Sequence, residues 1–280
     1  MNIELTTIRD AQKQSWNKFS PGWKKWDDLT MKFLQPHGDA IIKHLKPSGA
    51  AQVLDIAAGT GEPGLTIAHM MVNGKVTLTD LSEGMLNVAS DKAKASGLSN
   101  VETLVADACE LPFPDDTFNA VSCRLGFMFF PDMQLAAAEM VRVLKPGGGL
   151  ATTVWGGPEK NFWVTCISQN IKQYIEMAIP PEGAPGMFRC APEGLMSELF
   201  RHVGLKNIVE AEIPGKINCS SAQEYWDFMT EIAAPFVGAL STASEETVEM
   251  VRRGVIKSVD ERYPDETTLD TSGILIYGEK

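Results

Sequence analysis

The chain has 280 residues, 44% of them hydrophobic and 22% charged, and its 25 basic against 36 acidic side chains leave a net charge of −11. That acidity argues against nucleic acid as a partner, because a nucleic-acid binder uses a basic face to displace counterions. No apolar run reaches the ~18 residues of a membrane span, and neither the five scattered cysteines nor the four histidines have disulfide-framework or zinc-site spacing.

The chain starts MNIELTTIRDAQKQSW, without the basic start and apolar stretch of a signal peptide, so a cytoplasmic location is expected. Residues 1–50 carry eight Lys/Arg and five Asp/Glu, a locally basic arm on an acidic protein. Residues 7–46 read as helix in two or three pieces, broken at Pro21-Gly22 and at Pro36. From Val53 the pattern becomes short apolar runs alternating with amphipathic helices. The runs are 53–57, 75–80, 101–107, 118–123 and 150–155; the helices lie near 62–72, 82–96 and 133–144. Pro63 suits a first helical turn and Ser82 an N-cap, and LeuLysProGlyGlyGly at 144–149 ends a helix before the fifth strand.

Regular βαβα order implies a parallel sheet with helices on both faces. After Trp155 the regularity lapses. A helical piece at 161–178, a helix near 192–203, a strand at 205–213, helices across 220–262 and a last strand at 269–279 follow. Ser221 and Glu224 form a capping box, and Val248, Val251, Val255 and Val259 mark one helix face. The organisation read from this is an arm or lid (1–50), a core (51–155), a cap insertion (156–187), a core continuation (188–215), a second helical cap (216–266) and a final core strand (267–280).

Chemistry concentrates in VLDIAAGTGEPG at 53–64. Glycines 59, 61 and 64 have GxGxxG spacing between a strand and a helix, which marks a nucleoside-binding turn. Asp55 beside that turn would repel a pyrophosphate but suits a ligand with an ammonium and a sulfonium, which favours S-adenosylmethionine over a dinucleotide. Asp80, ending the second strand, can accept from both ribose hydroxyls. Asp107, ending the third, can accept from the adenine amino group, and Met85 offers a polarisable surface for the ring or is plain core.

VLDIAAGTGEPG, TDLSEGML, VADACELPFPDDTFNAVSC and MVRVLKPGGG resemble, in order and spacing, the successive motifs of class I S-adenosylmethionine-dependent methyltransferases. They look most like the ubiquinone/menaquinone biosynthesis C-methyltransferase branch. The resemblance spans roughly residues 50–155. It implies a Rossmann-like, seven-stranded, mostly parallel sheet whose last strand is antiparallel. It also implies that Asp55 and the glycines hold the methionine end, Asp80 the ribose, and Asp107 with the Ala108 backbone the adenine. The expected cofactor set is Asp55, Ala57, Gly59, Thr60, Gly61, Asp80, Leu81, Met85, Asp107, Ala108 and Arg124. Ala57-Ala58 replaces the usual Gly-Cys, which leaves the turn intact with slightly less room. The segment after strand four has no Asn-Pro-Pro-Tyr signature of amino-group methylation.

The activity implied is methyl transfer to a small, partly apolar acceptor, with S-adenosylhomocysteine as product and no metal. Its protein task is in-line alignment and exclusion of water. Trp23, Trp26, Phe127, Met128, Trp155 and Phe162 are expected around the acceptor. His37, in the arm, is the candidate base, with a surface histidine as the competing reading. Cys123, Cys166 and Cys190 could converge on a soft ligand. A non-catalytic S-adenosylmethionine-binding protein and a nicotinamide oxidoreductase are the alternatives from other classes.

Overall fold

A computed structural model describes residues 3–71, 73–176, 181 and 183–280. Seven strands form one sheet in the order β3-β2-β1-β4-β5-β7-β6: β1 Gln52–Ile56, β2 Lys75–Asp80, β3 Val101–Val105, β4 Phe118–Arg124, β5 Leu144–Trp155, β6 Lys206–Asn218 and β7 Thr268–Glu279. The pairs β1·β2, β1·β4, β2·β3 and β4·β5 are parallel, whereas β7 runs antiparallel to β5 and to β6. The strand order reverses between β1 and β4, and sheets of this kind bind their ligands beyond the carboxyl ends of the strands at such a point.

The helices between strands begin where their caps dictate. Ser82 Oγ accepts from Met85 N at the start of α4 (Glu83–Ala95), and Asp132 Oδ1 accepts from Leu135 N at the start of α5 (Met133–Val143). The first crossover helix, α3 (Gly64–Met70), is shorter than its pattern suggests. β5 starts earlier than expected: Leu144 pairs with Phe118, then the strand bulges through Gly147 (φ 77°) before pairing resumes at Gly149.

The arm differs from the sequence expectation. α1 (Ile3–Lys25) runs through Pro21 and Gly22, and α2 (Asp27–Leu45) runs through Pro36. The break falls at Trp26 alone (φ −97°, ψ 18°), and helical bonds from Trp26 N to Gly22 O and from Thr30 N to Trp26 O continue across it. Proline leaves a carbonyl four residues back without its donor. For Pro21 that carbonyl belongs to Asn17, and Ser20 Oγ donates to it at 3.0 Å.

α2 then lies against the sheet: Ile41 packs with Ala151, Ile213 and Leu275. Later helices are α6 (Phe162–Lys172), α7 (Leu195–His202), α8 (Ala222–Ile232), α9 (Ala234–Leu240) and α10 (Glu245–Arg262). Ser221 caps α8 as its spacing predicts, but Glu224 reaches the amide of Ser220 rather than that of Ser221. Val251, Val255 and Val259 are fully buried on α10. The expected helical piece at 161–178 ends partly outside the described residues.

Candidate active site

The glycine turn is built on Asp55. Its carboxylate is fully buried, accepting from Gly64 N at 3.0 Å and from Ser122 Oγ at 2.6 Å, so it ties the start of α3 to β4. Burial pushes its pKa up to about 7, against the pull of the Ser122 bond and of Arg124. Gly61 (φ 109°) has no room for a side chain, since a Cβ would fall 2.6 Å from Leu65 Cδ1. A Cβ on Gly64 would collide with Leu78 and sit 2.9 Å from Asp55 Oδ2, which explains the close approach of helix and strand. Ala57 keeps the turn intact but does so at φ 54°, a left-handed conformation that costs an alanine ~1–2 kcal/mol. Its methyl group is 2.8 Å from where a Gly126 Cβ would be.

Asp80 and Asp107 stand at the ends of the next two strands. Asp80 Oδ2 accepts from Gly59 N at 2.9 Å and Oδ1 from Ser82 N at 2.8 Å, and burial raises its pKa against those bonds. Asp107 Oδ1 accepts from Cys109 N at 2.8 Å. Its Oδ2 is buried without a hydrogen-bond partner among the described residues, with Arg9 Nη1 3.9 Å away. Met85 and Ala108 are buried close by in sequence, and Leu81 is partly buried. Three carboxyl groups thus stand around the glycine turn: Asp55 buried beneath it, Asp80 bonded to its Gly59 amide, and Asp107 beyond the end of β3.

The arm closes over these groups. Asn17 Oδ1 accepts from Ser82 Oγ (2.8 Å) and Gly84 N (3.1 Å), and Ser20 Oγ would lie 2.6 Å from a Gly84 Cβ. Thr60 Oγ1 donates to Asp27 Oδ1 at 3.1 Å, and Lys92 pairs with Asp27 at 2.9 Å, which fastens α2 to both the turn and α4. Asn17 and Asp27 carried no sequence signal, because their partners lie 65 and 33 residues away.

The aromatic residues sort differently from expectation. Trp26 donates to Glu231 Oε2 at 2.9 Å and meets Phe228 edge-on, so it packs on α8. Trp23 packs on Trp16, which in turn meets Phe129. Phe127 and Met128 are fully buried. Phe162 faces Arg262 and Tyr263 (4.4 Å and 5.8 Å), not the end of β5; its neighbour Trp163 takes that place, because successive residues on a helix face different ways.

Phe33 stacks on Trp155 (5.5 Å, 14°), Trp163 meets both rings (5.1 and 5.0 Å), and His37 meets Trp155 at 4.9 Å. Phe33 was missed in the sequence, where its only signal is the i, i+4 spacing to His37. His37 is 1% exposed rather than a surface histidine, and burial beside Arg124 pushes its pKa down to about 3. Arg124 also faces Asp55, Glu62 and Asp27.

Cys123, Cys166 and Cys190 are all buried, and burial raises their thiol pKa values, those of Cys166 and Cys190 to about 12. Cys166 neighbours Val255 O and Cys190 neighbours Met133 Sδ. A soft-ligand cluster gains nothing from this placement.

Residues 23–184 match the profile of the ubiE/COQ5 methyltransferase family. The chain is 32% identical over 219 residues to the demethylmenaquinone methyltransferase of Listeria monocytogenes, covering 72% of this chain and 90% of that one. It is 31% identical over 201 residues to the Bacillus subtilis enzyme of the same name, covering 66% and 79%. Among solved structures it is similar in fold to the YcgJ protein of Bacillus subtilis (TM-score 0.60, 22% identity, 87% and 97% covered). It is also similar to phosphoethanolamine N-methyltransferase 2 of Haemonchus contortus (TM-score 0.53, 19% identity, 87% and 52% covered). The profile match over more than half of its length and the relatives above 30% identity settle the assignment: the chain belongs to the ubiE/COQ5 methyltransferase family and is an S-adenosylmethionine-dependent methyltransferase.

Proposed function

We propose that this enzyme methylates a ring carbon of a small quinol-like acceptor, with the acceptor ring held at the ends of β4 and β5. The observation that carries the reading is the aromatic group Phe33, Trp155 and Trp163 at the carboxyl end of β5. The three rings are buried against one another, and parted by an entering acceptor they would present flat apolar faces to a planar ring. The demethylmenaquinone methyltransferases to which the chain is similar support the acceptor class.

S-adenosylmethionine supplies an activated methyl group on a sulfonium. Asp80 receives the ribose hydroxyls, Asp107 Oδ2 with the Ala108 backbone receives the adenine, and Met85 and Leu81 border the ring. Ala57, Gly59, Thr60 and Gly61 shape the turn around the methionine end, with Asp55 beneath it and Arg124 between the cofactor and the acceptor. Phe127 and Met128 back the reacting centre from the core. Residues 3–50 act as a lid, and residues 156–176 and 216–266 wall the acceptor side. Trp23 supports the lid from behind, and Trp26 anchors it to α8. The net charge of −11 favours a small molecule over nucleic acid, and five free thiols fit a reducing cytoplasm.

The test is incubation with methyl-labelled S-adenosylmethionine and a dithionite-reduced, short-chain demethylmenaquinone. Label on a ring carbon is expected. Label on no quinol, with S-adenosylhomocysteine still bound, overturns the acceptor class.

A further inference from the structure

Below the aromatic group the sheet carries polar side chains that the fold does not use. Side chains alternate along a strand. On β5 the residues facing α2 are Ala151, which packs on Ile41, then Thr153, then Trp155, which packs on Phe33 and His37. The register places Thr153 beside Arg124 of β4. It also places Trp155 beside Gly273 of β7, and the His37 ring fills the space that a Gly273 side chain would take. Thr153 Oγ1 and His37 Nδ1 are both buried and have no hydrogen-bond partner among the described residues. An apolar residue of the same shape would fill either position at lower free energy, since a buried polar atom left unpaired costs ~1–3 kcal/mol.

We propose that His37, Thr153 and Arg124 form the polar end of the acceptor site and receive a ring hydroxyl oxygen of the acceptor, a proposal that rests on the quinol-like reading above. Thr153 Oγ1 and the Arg124 guanidinium donate to the oxygen, and the His37 imidazole accepts from its proton. The ring then lies against Phe33, Trp155 and Trp163. The expected role of His37 as a base is replaced by that of an anchor. With its pKa near 3, taking a proton from a phenol of pKa about 10 would run about seven powers of ten uphill. Arg124 is the charged group acting on it. A neutral imidazole serves instead as a fixed hydrogen-bond partner through the whole working pH range.

Calorimetry on the full chain saturated with S-adenosylhomocysteine tests this with 1-naphthol and 1-methoxynaphthalene as probes. The unaltered protein should prefer 1-naphthol by about tenfold or more, the scale of one to two hydrogen bonds in a buried site. His37→Phe, which keeps the ring packing, and Thr153→Val, which keeps the shape, should each cut that preference to below about threefold. Affinity for S-adenosylhomocysteine should not change in either. If both variants keep the preference, the two side chains are packing residues and the proposal fails. If Arg124→Gln weakens S-adenosylhomocysteine and leaves the preference intact, the guanidinium serves the cofactor and the three-residue site is wrong. If neither naphthalene binds while S-adenosylhomocysteine does, the aromatic-acceptor reading itself falls.

Discussion

The side-chain oxygen of Asn17 accepts from Ser82 Oγ at 2.8 Å, and Ser82 is the residue that caps α4. The N-terminal helix is thereby fastened directly beside Asp80, whose Oδ1 accepts from the Ser82 amide. If the arm is the lid proposed above, a ligand entering over Asp80 and Asp107 has to displace α1. Asn17→Ala removes two hydrogen bonds, each worth about 1 kcal/mol. It should speed exchange of S-adenosylhomocysteine roughly thirtyfold in stopped-flow tryptophan fluorescence. An unchanged exchange rate would show that α1 is not the gate.

Asp80 has two tasks in the structure, which changes what its removal should do. Asp80→Ala should weaken S-adenosylhomocysteine binding by about 2–3 kcal/mol, the scale of charge-assisted bonds to two hydroxyls. It should also lower stability by about 1 kcal/mol or more, because Gly59 N and Ser82 N lose their acceptor. Calorimetry and thermal unfolding, run on the same preparation, check both. Full affinity in a destabilised variant would leave Asp80 only its structural task.

Ala57 holds φ 54°, where glycine is free of strain. Ala57→Gly should therefore stabilise the protein by about 0.5–1 kcal/mol, the relief of left-handed strain less the extra entropy of the unfolded chain. Urea unfolding measures it, and a loss of stability would show that packing of the Ala57 methyl group outweighs the strain.

His37 gives a pH signature with a definite sign. Its folded pKa is depressed to about 3, below the unfolded value of about 6.5, so the unfolded chain binds the extra proton between these limits. Stability is full above the unfolded value and declines as pH falls toward 3. Between pH 7 and pH 5 the unaltered protein should lose about 2 kcal/mol more than His37→Phe. Equal losses in chemical denaturation at the two pH values would contradict a buried, neutral His37.

The local code of this chain was largely readable. Glycines 59, 61 and 64, the caps Ser82 and Ser221, and the valine face of α10 each depend on residues within a turn or two, where spacing alone imposes geometry. Pro21 misled for the same reason in reverse. Taken locally it ends a helix, yet Ser20 supplies the donor it lacks to the Asn17 carbonyl, and packing of α1 against α4 and α8 holds the helix through it.

The sequence by itself determined the order of strands and helices, the nucleoside turn and the three strand-end carboxylates at 55, 80 and 107. Hydrophobic period and turn chemistry act over short distances, and the parallel sheet then brings its strand ends together. Only the tertiary structure decided which aromatic rings meet at β5 and that Phe162 gives way to Trp163. It alone decided that His37 is buried against Trp155 and Gly273, and that Asn17 and Asp27 fasten the arm. Those contacts join residues far apart in the chain, and which way a side chain faces is settled by what packs against its helix.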